Sequence, residues 1–278
     1  MIKINEKLSV LFSDNSSFSD LSSNMAGFDR GTETITYVAA EDKLYIGFYK
    51  PISVFYTDLA TTNTNDVSIS LKYYDGSSYE AVSGLHDDTD GIQRSGFIRW
   101  DRNQTDEKAV TVNSLEKFWY ELTLSGDTTE IIINGINIVF SDDQDLKREF
   151  FDVDKYKSSG ELSFILSHAA SRDEIIQELR ADGRYKEDFA TGSLKDITAF
   201  DLLEISQVKL ASTYLTMSKV MFQASDEIDD VYMQKSDRYR SLYNKAMKTF
   251  YLSVDVDDNG KKDQFEELAS NTASMVRR

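Results

Sequence analysis

Two long runs of helical periodicity near the C-terminus constrain the fold of this chain more than any other feature. In residues 198–224, apolar side chains recur three and four positions apart, which is the spacing of a helix with a wide buried face. Residues 227–251 repeat this spacing, and only residues 223–226 separate the two runs. A connection this short predicts an antiparallel helical pair, in which each helix covers the apolar stripe of the other.

The second run is predicted to lead directly into an acidic loop with the spacing of a calcium site. The pattern needs oxygen donors at loop positions one, three, five and nine, glycine at six, a backbone carbonyl at seven and glutamate at twelve. The matching ligands are Asp255, Asp257, Asn259, Lys261, Asp263 and Glu266, with Gly260 at the turn. Lys262 departs from the pattern, because position eight is usually aliphatic. We predict a bound Ca²⁺ ion, and the alternative is a solvated turn whose carboxylates cap the next segment.

The N-terminal half has short segments with period-two or β-branched character. They are residues 34–39, 43–48, 53–59, 67–74, 95–99, 117–125 and 129–140. Strict alternation in residues 67–73 predicts a strand with one buried and one solvated face. Asp75-Gly76 and Ser125-Gly126 supply turn residues between such runs. Several strands at this spacing predict an antiparallel β-sandwich that ends near Ser141.

These patterns together predict an α+β multidomain chain. We expect a β-sandwich domain at residues 1–145, a linker at 146–170, a helical domain with a long α-hairpin at 171–268, and a C-terminal tail at 269–278. Residues 171–174 have the sequence of a capping box and predict the start of a shorter helix that ends at Asp182-Gly183. Residues 198–201 give a second cap signal, at the head of the first long helix.

The charge of the chain restricts the partners that it can bind. The formal net charge is −17, and residues 1–150 contain 13 Lys and Arg against 25 Asp and Glu. This acidity argues against a nucleic-acid-binding surface, which needs a basic patch, but suits a surface past which DNA moves without sticking. The absence of cysteine excludes disulfides and a thiol nucleophile. Without a signal peptide or a membrane-length apolar run, we expect a protein made in the cytosol.

Catalytic chemistry is not indicated by any motif. The two histidines, His86 and His168, stand outside recognisable catalytic patterns. His86 lies among carboxylates in a polar loop between strands, and we interpret His168 as a capping or packing residue. The sequence has no phosphate-binding glycine loop or dinucleotide fingerprint. We therefore expect a binding or assembly protein and not an enzyme.

Aromatic residues crowd the β-domain and allow two interpretations. Exposed tryptophan and tyrosine beside acidic side chains would suit a sugar-binding cleft, but alternation along strands places about half of such residues in the core, and the core interpretation is favoured. Arg99, Trp100 and Arg102 form the most distinctive cluster. These residues are a candidate partner contact, and internal pairing of the arginines with Asp101 or Glu116 is the favoured interpretation.

The helical half resembles the head-to-tail connector, or adaptor, proteins of tailed bacteriophages, which form a ring beneath the portal. The resemblance covers roughly residues 160–270. It is carried by the early helix at 172–180 with its Asp-Gly stop, by residues 209–214 and 236–243 of the long helices, and by the acidic loop at 255–260. More loosely, residues 45–51 and 96–101 resemble parts of discoidin-like or carbohydrate-binding sandwiches on virion proteins.

The resemblance implies a structural virion protein, made in the host cytoplasm and located at the neck, the head-tail interface. Its implied partners are further copies of itself in a dodecameric ring, the portal protein, and tail or neck proteins. Double-stranded DNA would pass through an acidic lumen without specific binding, and no membrane is involved. The tail residues Met275, Arg277 and Arg278 would order on the portal or on the next ring. Apolar residues on more than one face of the helical pair agree with burial between neighbouring subunits.

Two other functions remain open at this point. One is a carbohydrate-binding virion or tail-associated protein whose sandwich contacts the host surface. The other is a calcium-dependent glycosidase, although the sequence does not single out a pair of carboxylates for it.

Overall fold

A computed structural model describes residues 8–39, 41–101, 106–157, 161–183, 185–188, 193–225, 230–249, 251–255 and 267–269. The chain divides into two compact units, Met1–Ile138 and Val139–Arg278, which we call the β unit and the helical unit. The structure combines α-helices with antiparallel sheets, which confirms the predicted α+β class.

The β unit contains one short helix, α1 (Ser22–Met25), and two main antiparallel sheets among its described residues. Its strands are β1 (Ser9–Asp14), β2 (Ser17–Asp20), β3 (Glu33–Ile35), β4 (Lys43–Phe48), β5 (Val54–Thr61), β6 (Ile69–Tyr74), β7 (Tyr79–Ala81), β8 (His86–Asp87), β9 (Gly96–Arg99), β10 (Val110–Val112), β11 (Leu115–Leu124) and β12 (Ile131–Asn137). One sheet has the order β2-β1-β4-β11-β6-β7, with β10 also paired to β11, and the other has the order β3-β12-β5-β9-β8.

Each of the seven predicted strand segments overlaps an observed strand, and each of those strands contains buried residues. The match is closest at β4, where the predicted residues 43–48 coincide with the strand. β2, β7, β8 and β10 have two to four residues, which is too short for a period-two pattern to emerge. Side chains from both main sheets, including Leu44 and Leu122 from one and Ile35 and Ile133 from the other, line one apolar cavity.

A second apolar cluster lies on the other face of the seven-stranded sheet. Trp119 of β11 is 1% exposed and lies directly over Gly47 of β4, where the missing side chain leaves room for the indole ring. Val110 and Val112 of β10 pack against the same cluster. The indole nitrogen donates to the carbonyl of Leu115 at 3.1 Å. Both faces of this sheet are therefore covered near β10 and β11.

The helical unit is organised around one helix, α4 (Ser206–Gln223), that has more than half of its residues buried. Its elements are α2 (Asp143–Glu149), a 3₁₀ helix (Val153–Tyr156), α3 (Ile165–Ala181), β13 (Tyr185–Asp188), β14 (Ser193–Asp196), a 3₁₀ helix (Ala199–Asp201), α4 (Ser206–Gln223), α5 (Val231–Met247), β15 (Tyr251–Ser253) and β16 (Glu267–Ala269). α4 packs against α2, α3, α5 and β15. The predicted helical pair is present as α4 and α5. Asp230 is the N-cap of α5, and its side chain accepts from the amides of Tyr232 and Met233.

The predicted linker at residues 146–170 is wrong. This segment contains the end of α2, a 3₁₀ helix and the start of α3. Leu146, Val153 and Phe164 are buried in one cluster with Met217 and Met221 of α4. Charged and polar residues between these apolar positions hide the helical pattern in the sequence. The widely spaced apolar residues nevertheless anchor the segment to the helical unit.

Both predicted N-caps are displaced. α3 begins at Ile165 and not at the expected capping box, so Ser171 lies inside the helix and donates its hydroxyl to the Ser167 carbonyl at 2.8 Å. The Thr198 and Asp201 side chains do form a capping box, but on a 3₁₀ helix that precedes α4. The predicted stop at Asp182-Gly183 is confirmed, since Asp182 is the C-cap and Gly183 has φ +77°.

The predicted passage from the second long helix into the acidic loop is also wrong. α5 ends at Met247, and residues 251–253 form β15, which pairs antiparallel with β16. Leu202 and Val254 add an isolated antiparallel bridge. The end of the predicted run therefore belongs to a strand and not to a last helical turn.

Candidate functional site

The predicted partner cluster at Arg99, Trp100 and Arg102 does not form a common surface. Trp100 is 5% exposed and packs against the rings of Phe55 and Tyr120, so the prediction of a partner contact is wrong for this residue. Arg99 is exposed and pairs with Asp88 at 3.0 Å, not with the expected Asp101 or Glu116. Arg102 lies outside the described residues. Trp119 is buried as well, which matches the core interpretation of both tryptophans.

Most of the predicted calcium loop lies outside the described residues. Of its ligands, Asp257, Asn259, Lys261, Asp263 and Glu266 are not described. Asp255 is fully buried, and its amide donates to the Asp201 carbonyl at 2.8 Å. The loop joins two paired strands and does not follow a helix. Its donor set consists of oxygen atoms, which suits Ca²⁺, and the calcium site remains a prediction.

The tail residues Met275, Arg277 and Arg278 also lie outside the described part of the chain, so their predicted contact with the portal stays a prediction. Within the described ranges, no group of three His, Cys, Asp or Glu side chains is placed to hold a metal ion.

A buried serine–histidine–aspartate cluster lies in the helical unit. Ser141 Oγ is 2.9 Å from Nδ1 of His168 and 2.8 Å from Oγ of Ser212. His168 Nε2 lies 3.3 Å from Asp143 Oδ1, a distance suited to ion pairing but with poor hydrogen-bond geometry. Sequence reasoning missed this cluster, because its members are spread over α2, α3 and α4 and share no motif.

The cluster holds helices together and does not form an open active site. Ser141 and Ser212 are fully buried and His168 is 1% exposed, so a substrate cannot reach the serine hydroxyl. A nucleophilic serine would need an accessible carbonyl position beside it. His168 is therefore a packing residue, one of the two roles expected for it.

Asp143 connects this cluster to the surrounding backbone and charges. Its Oδ1 accepts from the Phe164 amide at 3.0 Å, and its Oδ2 pairs with Lys157 Nζ at 2.9 Å. Burial raises the pKa of the Asp143 carboxyl, but the interactions with His168 and Lys157 outweigh burial and hold this pKa below its ordinary value. Asp143 therefore fixes the start of α2 against the start of α3.

A second ionic cluster fixes α3 to the α4–α5 pair. Glu174 of α3 accepts from Lys219 of α4 at 2.6 Å and from Arg240 of α5 at 2.5 Å. Glu178 accepts from the hydroxyl of the buried Tyr243 at 2.5 Å. Burial raises the pKa of Glu174, but the two cations outweigh burial and lower it. The residues 236–243 that carry the family resemblance thus include two positions that anchor this helix.

The most distinctive surface feature is exposed apolar side chains on the helical unit. Six of the eight large exposed apolar residues in the described ranges belong to this unit: Phe151, Leu162, Leu166, Leu210, Phe222 and Val231. Phe151 is 88% exposed and Leu162 is 66% exposed. The prediction of apolar residues on more than one face of the helical pair holds for Leu210 and Phe222 of α4, while Met221 is buried.

Four of these residues stand within two positions of members of one hydrophobic cluster of the helical unit, and we call them the apolar end: Phe151, Leu162, Phe222 and Val231. Their chain neighbours Phe150, Met221 and Tyr232 belong to a single hydrophobic cluster, which also contains Phe164. Because those neighbours meet in one cluster, the four exposed side chains lie around it. Large exposed apolar groups of this kind mark contact sites for other macromolecules.

The described helices include none that is long and apolar enough to span a membrane. No family model matches the sequence, and no curated protein matches it significantly. Among solved structures, the chain is similar to a family 89 glycoside hydrolase from Clostridium perfringens in complex with 2-acetamido-1,2-dideoxynojirmycin, with 11% identity and a TM-score of 0.30. The alignment covers 66% of this chain and 20% of that enzyme. The chain therefore spans about a fifth of the enzyme's length, and a likeness this slight carries no conclusion about activity.

Proposed function

We propose that this protein is a structural virion component, an adaptor that assembles into a ring and joins the portal at the capsid vertex to the tail or neck. One observation carries the proposal: the helical unit leaves six large apolar side chains exposed, and four of them border one hydrophobic cluster. Burial of such groups in water-excluded contacts is the main driving force of association. All of these residues except Phe151 lie in the segment that resembles phage adaptors, roughly residues 160–270.

The rest of the molecule supports a structural role. The cavity between the main sheets has an apolar lining. Ser141 and His168 are buried, so the cluster that they form with Asp143 is closed to substrates. In this proposal the acidic surface lines a lumen for double-stranded DNA, and the β unit, a discoidin-like sandwich, faces outward. Binding of carbohydrate is not favoured, since both tryptophans are buried.

The test is the mass of the full chain in solution, measured by native mass spectrometry alone and with the portal protein from the same genome. We expect ring-sized assemblies, and complexes when portal is present. Changing Phe151, Phe222 and Val231 together to serine should abolish them without unfolding the protein. A matched control changes the exposed Phe18 and Val38 of the β unit to serine and should assemble normally. A chain that stays monomeric at every concentration and ignores portal would contradict the proposal.

A further inference from the structure

The outer face of α5 is basic in a chain whose net charge is −17. α5 contains Lys235, Arg238, Arg240 and Lys245 but one acid, Asp237. Arg240 binds Glu174 of the same unit, whereas Arg238 and Lys245 are exposed and form no ion pair within the described residues. They stand seven positions apart, which is about two turns of an α-helix, so both lie on the same face.

A set of loops at one end of the β unit has the opposite charge. Residues 38–42, 61–68 and 125–130 contain no lysine or arginine. Four of their acids, Glu41, Asp66, Asp127 and Glu130, are exposed and have no ion pair in the described part of the chain. We call these four residues the acidic end.

Hydrogen bonds fix the three loops to one another, so the acids belong to one rigid surface. The Ala39 amide donates to Asp127 Oδ1 at 2.9 Å, and Asn65 Nδ2 donates to the Asp127 carbonyl at 2.8 Å. The buried Asn63 accepts from the amide of Thr129 at 3.2 Å and donates to the Gly91 carbonyl at 3.2 Å. A surface held in this way loses little conformational freedom when it binds.

We infer that the acidic end of one copy binds the basic face of α5 in the next copy, and this inference rests on the proposed ring. The two surfaces have opposite charges, and neither is neutralised by its own chain in the described residues. Because they are different surfaces, the contact between copies is head-to-tail, and repeated contacts of this type close into a ring when the rotation fits. The apolar end supplies affinity, and the charges set the orientation of the neighbour.

Nucleic acid is a weaker candidate for the same face. Affinity for DNA grows with the number of phosphates that a surface neutralises, and here two unpaired cations stand on a strongly acidic chain. The acidic end of a second copy offers four carboxylates to these two cations without that penalty.

The test uses two charge-reversal variants of the full chain. In the first, Arg238→Glu with Lys245→Glu leaves two acidic surfaces. In the second, Glu41→Lys, Asp66→Lys and Glu130→Lys leave Asp127 as the one acid of the acidic end, so both surfaces are basic. Each alone should associate about tenfold more weakly than wild type or worse, because like charges then meet. An equimolar mixture should recover assemblies of alternating variants, since each surface again meets its opposite. Native mass spectrometry resolves the two masses in a mixed ring.

The control is Lys72→Glu with Lys108→Glu, which makes the same change in net charge as the first variant but at positions outside both surfaces. It should assemble like wild type. If wild type assembles and the first variant assembles equally well, the charge contact is overturned while the proposed adaptor function stands. If wild type never assembles, both are overturned. If wild type binds fluorescent double-stranded DNA, the first variant loses that binding and the mixture fails to assemble, the basic face is a nucleic-acid surface instead.

Discussion

Leu202 and Val254 form an isolated antiparallel bridge. This bridge explains why the first long helix starts later than the sequence predicts. The bridge holds residues 202–203 in an extended conformation, where the Leu203 amide donates to the Ser253 carbonyl at 3.0 Å. α4 therefore begins at Ser206 and not at residue 198. The same contact fixes the chain that leads into the acidic loop, so it links the start of the central helix to the predicted calcium site.

The bridge predicts a large loss of stability for Leu202→Ala. Leu202 is 4% exposed and packs with Val208, Leu215 and Leu252, so truncation leaves a cavity that costs about 2–5 kcal/mol. Leu203→Ala is the matched control, because Leu203 is half-buried and should cost less. Urea unfolding followed by the helical circular dichroism signal measures both. Equal effects of the two changes would contradict the assignment of Leu202 to the core.

Gly47→Ala should destabilise the β unit although it adds only one methyl group. A Cβ at this position would lie 2.5 Å from the ring of Trp119, which is itself packed under β10 and cannot move freely. Overpacking of this kind costs about 1–3 kcal/mol. Tryptophan fluorescence during urea unfolding reports the change. A second variant, Gly126→Ala, meets only a Val67 methyl group at 3.2 Å and should be milder; a Gly47→Ala protein as stable as wild type would show that Trp119 does not seal this face.

The sequence predicts the strands of the β unit better than the order of elements in the helical unit. Strand β6 alternates between buried and more exposed residues, so its period-two pattern survives in the sequence, whereas apolar and aromatic residues mark β4 and β11. Buried hydroxyls explain the weaker result elsewhere. Ser212 and Thr216 lie on the buried face of α4, and Ser171 and His168 on that of α3, so a hydrophobic pattern alone cannot mark those faces.

The candidate surfaces differ in how far the sequence reveals them. The sequence predicts more apolar residues on the two long helices than the contact between these helices can bury. Leu210 and Phe222, which are exposed on α4, agree with this prediction. Which residues meet at the apolar end depends on the packing of α2 and α3 against α4, and sequence spacing does not contain that contact. Trp100 shows the opposite error: tryptophan between two arginines suggested a surface, but the strand places its ring inward against Tyr120.

Asp143 predicts acid-dependent stability of the helical unit. Its pKa is lowered in the folded chain, so its contribution is fully present above the unfolded value of about 4 and is lost as pH falls through the folded value. Asp143→Asn should lower stability at neutral pH by about 1.5–3 kcal/mol, because the pair with Lys157 is lost. The variant should also show a shallower fall in stability below pH of about 4. Urea unfolding from pH of about 2 to neutral pH tests this, and an unchanged acid slope would remove Asp143 as its source.

The predicted calcium site leads to a test that does not depend on the structure of the loop. If the oxygen donors bind Ca²⁺ only in the folded chain, calcium should raise the melting temperature, and a concentration of about 100 times Kd adds about 2.7 kcal/mol of stability. Asp255 is a poor choice for the variant, because its side chain is fully buried and its loss would lower stability in the absence of metal as well. Asp257→Ala should instead remove the calcium-dependent shift while it leaves the metal-free melting temperature nearly unchanged. Lys262→Ala provides the control, since position eight supplies no ligand and the shift should persist. Differential scanning calorimetry with calcium and with magnesium measures the shift directly.

The contact of Leu202 with Val254 places one end of this loop near the start of α4. Bound calcium should therefore also slow amide exchange at Leu203, whose amide donates to the Ser253 carbonyl of β15. A wild-type protein that melts at the same temperature with and without calcium would leave the loop as a solvated turn between β15 and β16.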